Sequence, residues 1–412
     1  MTTALNPLAL QTLPAIEDWL KSDGQDNRKK VEQRVVGQLL QTLLYEEVLS
    51  YQYQTLTDDQ GRFLVEGVDA QDQTVQYACL GLRSASFDLI RLDYHTLERT
   101  DAVGEVSTPS LHQALAELLH QVQDSPYLPR FIDELEQTLV KDLQSRSLDY
   151  QPGAPAHQLD AEALEQHFMD AHSYHPCYKS RIGFSLTENL LYGPEFATPI
   201  HPVWLAISKS CSVAKVSEHL ETATFLQDEF GEQRWQQSCE QLRAKGKQPE
   251  DYWLLPVHPW QWEHVIMSAF SAELISEELI YLGEASERYQ AQQSLRTLQN
   301  MTDIQRPYIK LAMSMTNTSS TRILAKHTVL NGPIINNWLQ QLIRQDATAQ
   351  ALGFVILGEI AGVSFAQEHL PQMRKPQTYG ALGAIWRESI HQYLNADEQA
   401  VPFNGLSHLE NE

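Results

Sequence analysis

The stretch Tyr308–Leu324, YIKLAMSMTNTSSTRIL, constrains this chain more than any other. Ile309, Leu311, Met313 and Met315 alternate with Lys310, Ala312, Ser314 and Thr316. Period-two alternation is the signature of a half-buried strand, so this segment belongs in a sheet with one face on a core. The pattern then stops. Thr316, Asn317, Thr318, Ser319, Ser320 and Thr321 form an unbroken polar run that leads into Arg322. A strand-to-helix turn is expected there, with hydroxyls and backbone N–H groups at the helix start making an anion site. Lys310 and Arg322 add positive charge to it. A capped turn with an incidental arginine is the other reading of the same residues.

Ser294 and Arg296 lie just upstream. If residues 290–298 pair with 308–316 around a turn near 302, both fall opposite 309–311, and a polar, cationic patch results. Thr318 and Arg322 sit at its end. A straight strand rises about 3.3 Å per residue, which would put Lys310 and Thr318 about 25 Å apart. Both can touch one small ligand only if the chain bends, and 316–320 is where the bend is expected.

Two further clusters carry chemistry. His172 and His175 precede Pro176, Lys179 and Arg181. Histidines at this spacing on a helix can bind a metal, but Pro176 argues against a regular helix through His175. So many basic groups in an acidic chain fit an anion site, or else a solvated loop. His258-Pro259-Trp260-Gln261-Trp262 could stack on a base, but closing a core is the expectation. A metal-dependent hydrolase using His172, His175, His201 and His258 ranks far below the anion-site reading. There is no GxxxxGK[ST], no GxGxxG after a strand, no GxSxG and no HExxH, so any ATP site is of an uncommon type.

Charge sharpens the argument. The net charge is -23, so phosphates are repelled over most of the surface and nucleic acid is not an expected partner. An anion site must then be a local basic pocket. With 412 residues and 42% apolar content, two or three domains, or one large one with insertions, are expected around a sizeable core. Cys79, Cys177, Cys211 and Cys239 are widely spaced and suggest no disulfide framework. The N-terminus has no basic, apolar leader pattern, and no apolar run is long enough to span a bilayer. The expectation is a cytoplasmic protein without a membrane partner.

Along the chain, helical spacing covers Ile16, Trp19 and Leu20, then Val31 to Leu44. Strand patterns at Arg62–Val68, Thr74–Arg83 and Phe87–Asp93 predict a small antiparallel meander. Helices are predicted over 108–123 and 129–146, and Gln151–His157 marks a domain boundary. Further helices are predicted over about 160–172, 218–243 and 334–346. Strands are predicted at 203–210, 279–298, 306–316 and 354–360, and a last helix at 380–394.

Four blocks together resemble a known family. HSYHPCYKSRIGFS, LLPVHPWQWEHVI, SLRTL and YIKLAMSMTNTSSTRIL are similar to blocks of the siderophore synthetases that work independently of nonribosomal peptide synthetases, the aerobactin-synthetase-like IucA/IucC enzymes. Lys310, Thr318 and Arg322 meet the family's Lys–Thr–Arg spacing, and Ser294-Leu295-Arg296-Thr297 its S-x-R-T block. Ser173 stands where the family usually has Pro. The resemblance implies an α+β architecture. Residues 1–150 would be a helical thumb with a small antiparallel sheet. Residues 151–380 would be ATP-binding fingers with a mostly antiparallel sheet and flanking helices, and 381–412 the start of a palm that is otherwise largely absent. It implies a ligase that uses ATP and Mg²⁺ to adenylate a carboxylate of citrate or a related acid. An amine or hydroxyl, often on a polyamine or hydroxamate arm, then attacks the acyl adenylate. Arg296, Lys310 and Arg322 would be catalytic. Ser294, Thr318, His172 and His175 would join them at the nucleotide, and no metal ligand would lie in this chain. A homodimer is implied. With the Mg²⁺ ligands in the palm, little or no turnover is expected from the 412 residues alone, and a nucleotide- or polycarboxylate-binding fragment or homologue is the alternative.

Overall fold

A computed structural model describes residues 17–18, 25–57, 60–84, 89–122, 124–147, 159–167, 172, 174–366, 376–395 and 398. Ile16, Trp19, Leu20 and the Gln151–His157 boundary fall outside them. The chain divides into two compact units, neither continuous in sequence. The first comprises Met1–Gln151, Met169–Asn189 and Thr316–Ser320; the second comprises Pro152–Phe168, Leu190–Met315 and Thr321–Glu412. The expected boundary near 150 is therefore crossed again by the HSYHPCYKSRIGFS block, which belongs with the first unit.

In the first unit the predicted meander is present and larger than expected. Strands β1 (Gln52–Thr57), β2 (Gln60–Val68), β3 (Thr74–Arg83), β4 (Ile90–Thr100) and β5 (Val106–Ser107) form one antiparallel sheet in that order. β2 alternates buried and exposed residues, as its sequence predicts. β1 lacks that alternation because it is an exposed edge of mostly polar residues, which is why the pattern did not reveal it. Val31, Val35, Leu39 and Leu43 of helix Gln25–Tyr45 recur at helical spacing in the same core as Phe63, Val65 and Tyr77. Helices Leu111–Leu118 and Leu128–Ser147 complete the unit close to their predicted bounds.

The second unit holds β6 (Val203–Ser208), β7 (Ser212–Val216), β8 (Tyr252–Val257), β9 (Leu279–Glu284), β10 (Tyr289–Ala291), β11 (Thr297–Asn300) and β12 (Tyr308–Leu311). It also holds β15 (Glu359–Phe365) and β16 (Gly383–Arg387); between β12 and β15 in the chain, β13 (Thr316–Asn317) and β14 (Ser320–Thr321) pair with each other in a segment that falls mostly in the first unit. One sheet runs β10-β11-β12-β16-β15-β7, and a smaller one runs β8-β6-β9. The pairings are antiparallel. Leu298, Ile309, Trp386 and Ala361 lie side by side across four strands and enter the main core. Thr297, Lys310, Ile385 and Gly362 share the opposite face. Helix Lys326–Gln345 packs Val329 against Ile385 there. A Cβ on Gly362 would stand 2.6 Å from Val329, so glycine permits that close approach.

Several expectations are corrected. Gly380–Leu394 is not helical: Gly383–Arg387 is a central strand paired with β12 and β15, followed by a short turn at Ile390–Gln392. A strand buried on both faces shows an unbroken apolar run, which periodicity cannot separate from a helix. The expected third region from 381 therefore starts inside the sheet that carries Lys310. The strand expected at 354–360 begins at Glu359 instead. The helix expected over 218–243 is two helices broken at Gly231, where φ is 95°. The fold class stands as expected, α+β with antiparallel sheets.

Lys141 shows how the first unit holds its unusual loop. Its Nζ donates to the carbonyls of Ser180 and Arg181, each at 2.8 Å, and to Gln137 Oε1 at 3.2 Å. Burial, then nearby Arg181, push the amine down to about 7, but an ammonium has a proton for each of these acceptors. Lys141→Met would orphan two buried carbonyls. Chemical denaturation should then show the first unit destabilised by about 2–4 kcal/mol; a loss below about 0.5 kcal/mol would contradict this anchoring role.

Candidate anion-binding site

The bend that the sequence demanded is a hairpin, not a strand-to-helix turn. Met313 N–H donates to Arg322 O at 2.8 Å, and Arg322 N–H to Met315 O at 3.0 Å. The next helix starts only at Lys326. Thr318 and Ser319 both lie in the left-handed region, with φ of 48° and 57°. Two-residue hairpin turns of type I′ have positive φ at both central positions, and a β-branched residue there is strained. Thr318 Oγ1 donates to the Asn317 carbonyl, and Ser319 Oγ to Glu134 Oε2, each at 2.7 Å. The hairpin tip, Thr316–Ser320, belongs to the first unit and its base to the second.

Arg296 and Arg322 come together in the second unit, and Glu359, which acts on Arg296, links Lys310 to them. Thr297 is the direct partner of Lys310 across β11 and β12, and Leu311 N–H donates to Arg296 O at 2.8 Å. The predicted pairing holds for Arg296 alone: the strand expected over 279–298 is broken into β9, β10 and β11, and Ser294 sits in the turn joining β10 to β11, where Gln292 N–H donates to Thr297 O, so it does not face 309–311. Arg296 Nη1 donates to Ile323 O at 2.8 Å, which ties it to the base of the hairpin. Burial and the neighbouring Arg322 push the Arg296 guanidinium down to about 10, while Glu359 opposes that shift. Burial lowers Arg322 too. Lys310 Nζ donates to Glu359 Oε1 at 3.0 Å. Leu295, between Ser294 and Arg296, has φ of 66°, a costly conformation for a leucine, and this turn sets the direction of Arg296. Ser294 is exposed, and its Oγ accepts from Thr297 N–H at 3.1 Å.

The histidine block behaves differently from its expectation as a basic patch. Lys179 and Arg181 are each 1% exposed. Lys179 pairs with Asp142 Oδ1 at 3.1 Å, and Arg181 Nη1 donates to Asn189 Oδ1 at 2.6 Å. Asp142 also accepts from Tyr178 OH at 2.8 Å and faces Arg146 Nε at 3.4 Å. Those two cations are therefore committed to structure in the first unit. His172 Nδ1 accepts from His175 N–H at 2.9 Å, and His175 Nδ1 from Cys177 N–H at 3.1 Å. No group of three or more His, Cys, Asp or Glu able to hold a metal occurs among the described residues. Of the other histidines named for a hydrolase, His201 bonds through Nδ1 to Ala285 O, and His258 is wholly buried.

The HPWQ block closes a core and also positions the site. Gln261 is fully buried. Its Oε1 accepts from Ser314 N–H at 2.7 Å, and its Nε2 donates to Ser314 Oγ at 3.0 Å and Ala381 O at 2.7 Å. Gln261 thus brackets the point where β12 gives way to the hairpin. A cavity of about 620 Å³ opens beside it, lined by His264, Ser268, Ser314, Thr321, Ile323 and Tyr379 among others. Sequence reading missed Glu359 and the bracket by Gln261. A single carboxylate in the apolar run LGEIAGVSF was the available signal for Glu359.

The sequence pattern of the IucA / IucC family matches residues 160–408. A citryl-spermidine/3,4-dihydroxybenzoyl-citryl-spermidine:spermidine ligase of Bacillus anthracis is 36% identical over 94% of this chain and 62% of its own length. A 2-[(L-alanin-3-ylcarbamoyl)methyl]-3-(2-aminoethylcarbamoyl)-2-hydroxypropanoate synthase of Staphylococcus aureus is 37% identical over 92% of this chain and 60% of its own. The crystal structure of the petrobactin biosynthesis protein AsbB from Bacillus anthracis superposes with a TM-score of 0.84 at 35% identity, covering 98% of this chain and 64% of that one. The chain thus spans about three fifths of the length of the curated relatives it matches. No helix among the described residues is long and apolar enough to cross a membrane.

His258 yields a pH prediction. Its Nδ1 caps the following helix by accepting from Trp260 N–H at 3.1 Å, and burial pushes its pKa down to about 3. Between about 3 and its ordinary value of 6.5 the unfolded chain binds the extra proton, so stability is lost as pH falls through that window and is unaffected above it. Asn caps comparably but does not titrate. Wild type should lose up to about 1.4 kcal/mol per pH unit more than His258→Asn within the window. Equal slopes would show that His258 is not held neutral.

Proposed function

Because the chain belongs to the IucA/IucC family, we propose that it acts as, or within, an ATP-dependent siderophore synthetase. It adenylates a carboxylate of citrate or a related acid and passes the acyl group to an amine or hydroxyl. The observation that carries this reading is the partly buried pair Arg296 and Arg322, with Lys310 joined to it through Glu359, in a chain of net charge -23. Like charges are costly to bring together and bury, so they point to an anionic ligand. The names of the two relatives support citryl and polyamine chemistry for the substrates. The homodimer implied by the resemblance belongs to the same proposal.

The chemistry follows from charge. A carboxylate oxygen attacks the α-phosphorus of ATP, the P–O bond to the β-phosphate breaks, and pyrophosphate leaves. Negative charge shared between two anions is the main barrier to their approach. Arg296, Arg322 and Lys310 lower it by binding phosphoryl and carboxylate oxygens in a fixed arrangement. The amine then attacks the acyl carbon, the C–O bond to phosphate breaks, and AMP leaves with the electron pair while the amine loses a proton. Thr318, His172 and His175 belong to the first unit, and the site is built here from the second unit alone.

Calorimetric titration with ATP, beside carboxylate-dependent ATP–pyrophosphate exchange, tests the reading. Wild type should bind ATP. Arg322→Lys should weaken binding at least tenfold, about 1.4 kcal/mol, because an ammonium cannot reproduce a planar two-pronged contact. ATP affinity unchanged in both Arg322→Lys and Arg296→Lys would remove the cation cluster from the nucleotide site. Binding without exchange would leave a nucleotide- or polycarboxylate-binding protein that does not turn over.

A further inference from the structure

The cation cluster already contains an anion. Glu359 lies on β15, separated from β12 by β16, and its Oε1 accepts from Lys310 Nζ at 3.0 Å. Its charge also acts on Arg296, opposing the downward shift that burial and Arg322 impose. The position is built rather than accidental. Helix Lys326–Gln345 has Gly332 where it passes this carboxylate, and a Cβ there would stand 2.8 Å from Glu359 Oε2 and 3.0 Å from Glu359 Cβ. Glycine inside a helix costs about 1 kcal/mol relative to alanine, so its use here needs a reason, and room for Glu359 supplies one. Lys310 and Glu359 are each little more than a quarter exposed, so water reaches the pair and a ligand can replace one partner.

We infer that Glu359 is a stand-in for the ligand, a tethered carboxylate that holds Lys310 until an incoming oxyanion takes its place. This rests on reading the cluster as an anion site. The consequence is selectivity by charge. A tethered partner competes at a high effective concentration, and a monoanion offering one contact cannot displace it. A polyanion that engages Arg296 and Arg322 at the same time as Lys310 can. The site therefore selects ligands with several linked charges, such as a triphosphate or a tricarboxylate, over inorganic phosphate or acetate. Binding is a charge exchange on Lys310 with no bond made or broken.

Calorimetry with inorganic triphosphate and with inorganic phosphate tests this on wild type, Glu359→Gln and Glu359→Ala, with circular dichroism and melting to verify folding. Removing the competing charge should tighten triphosphate about tenfold in both variants, an order of magnitude expected from one like charge at close range. Phosphate should gain measurable binding, so that the triphosphate-to-phosphate preference narrows. Unchanged triphosphate affinity in the folded variants would overturn the inference. Weaker binding would overturn it too, by making Glu359 part of what holds the ligand. If wild type and both variants bind no triphosphate, the anion-site reading itself fails. If wild type binds and the variants match it, only the stand-in role fails.

Discussion

Partial burial of the neighbouring Arg296 and Arg322 guanidinium groups is the constraint around which the site in the second unit is arranged. Desolvating two cations side by side works against folding, and it pushes both guanidinium groups below their ordinary value. Specific contacts hold them in place. Arg296 is tied to the Ile323 carbonyl, Lys310 to Glu359, and the main chain of Arg322 to Met313 and Met315. Behind these contacts stands a sheet whose other face packs into the main core, so β11, β12, β15 and β16 cannot slip without exposing Leu298, Ile309, Trp386 and Ala361. The hydrophobic pattern thus sets the register, and the register sets the spacing of the charges.

Backbone strain marks the same places. Leu295 and Thr318 both adopt left-handed conformations that their side chains disfavour, and each adjoins a segment that carries a predicted site residue. Arg181, with φ of 38°, does the same in the loop anchored by Lys141. In the first unit the basic residues are turned inward around Asp142 and the loop carbonyls. In the second unit the cations stay partly accessible beside a single carboxylate. Two basic blocks that look alike in sequence therefore serve different ends.

How much was legible follows from these physical differences. Alternation in YIKLAMSM exposed a half-buried strand, and strand rise alone required a bend before Arg322. The hairpin form of that bend was not legible, because a polar run suits a helix cap as well as a turn, and what closes this one is pairing with residues nearby in the chain. Lys179 and Arg181 read as a surface anion site because the sequence could not reveal Asp142 and Asn189 beside them. β16 read as a helix because burial on both faces erases periodicity. Glu359 was hidden in an apolar strand, and its meaning depends on a cross-sheet neighbour that no local pattern names.

The most direct test of the central claim is a crystal structure of this chain with a non-hydrolysable ATP analogue. The account predicts triphosphate oxygens within hydrogen-bond distance of Arg296, Lys310 and Arg322, with Lys310 released from Glu359. A nucleotide bound elsewhere, with Lys310 still paired to Glu359, would contradict it.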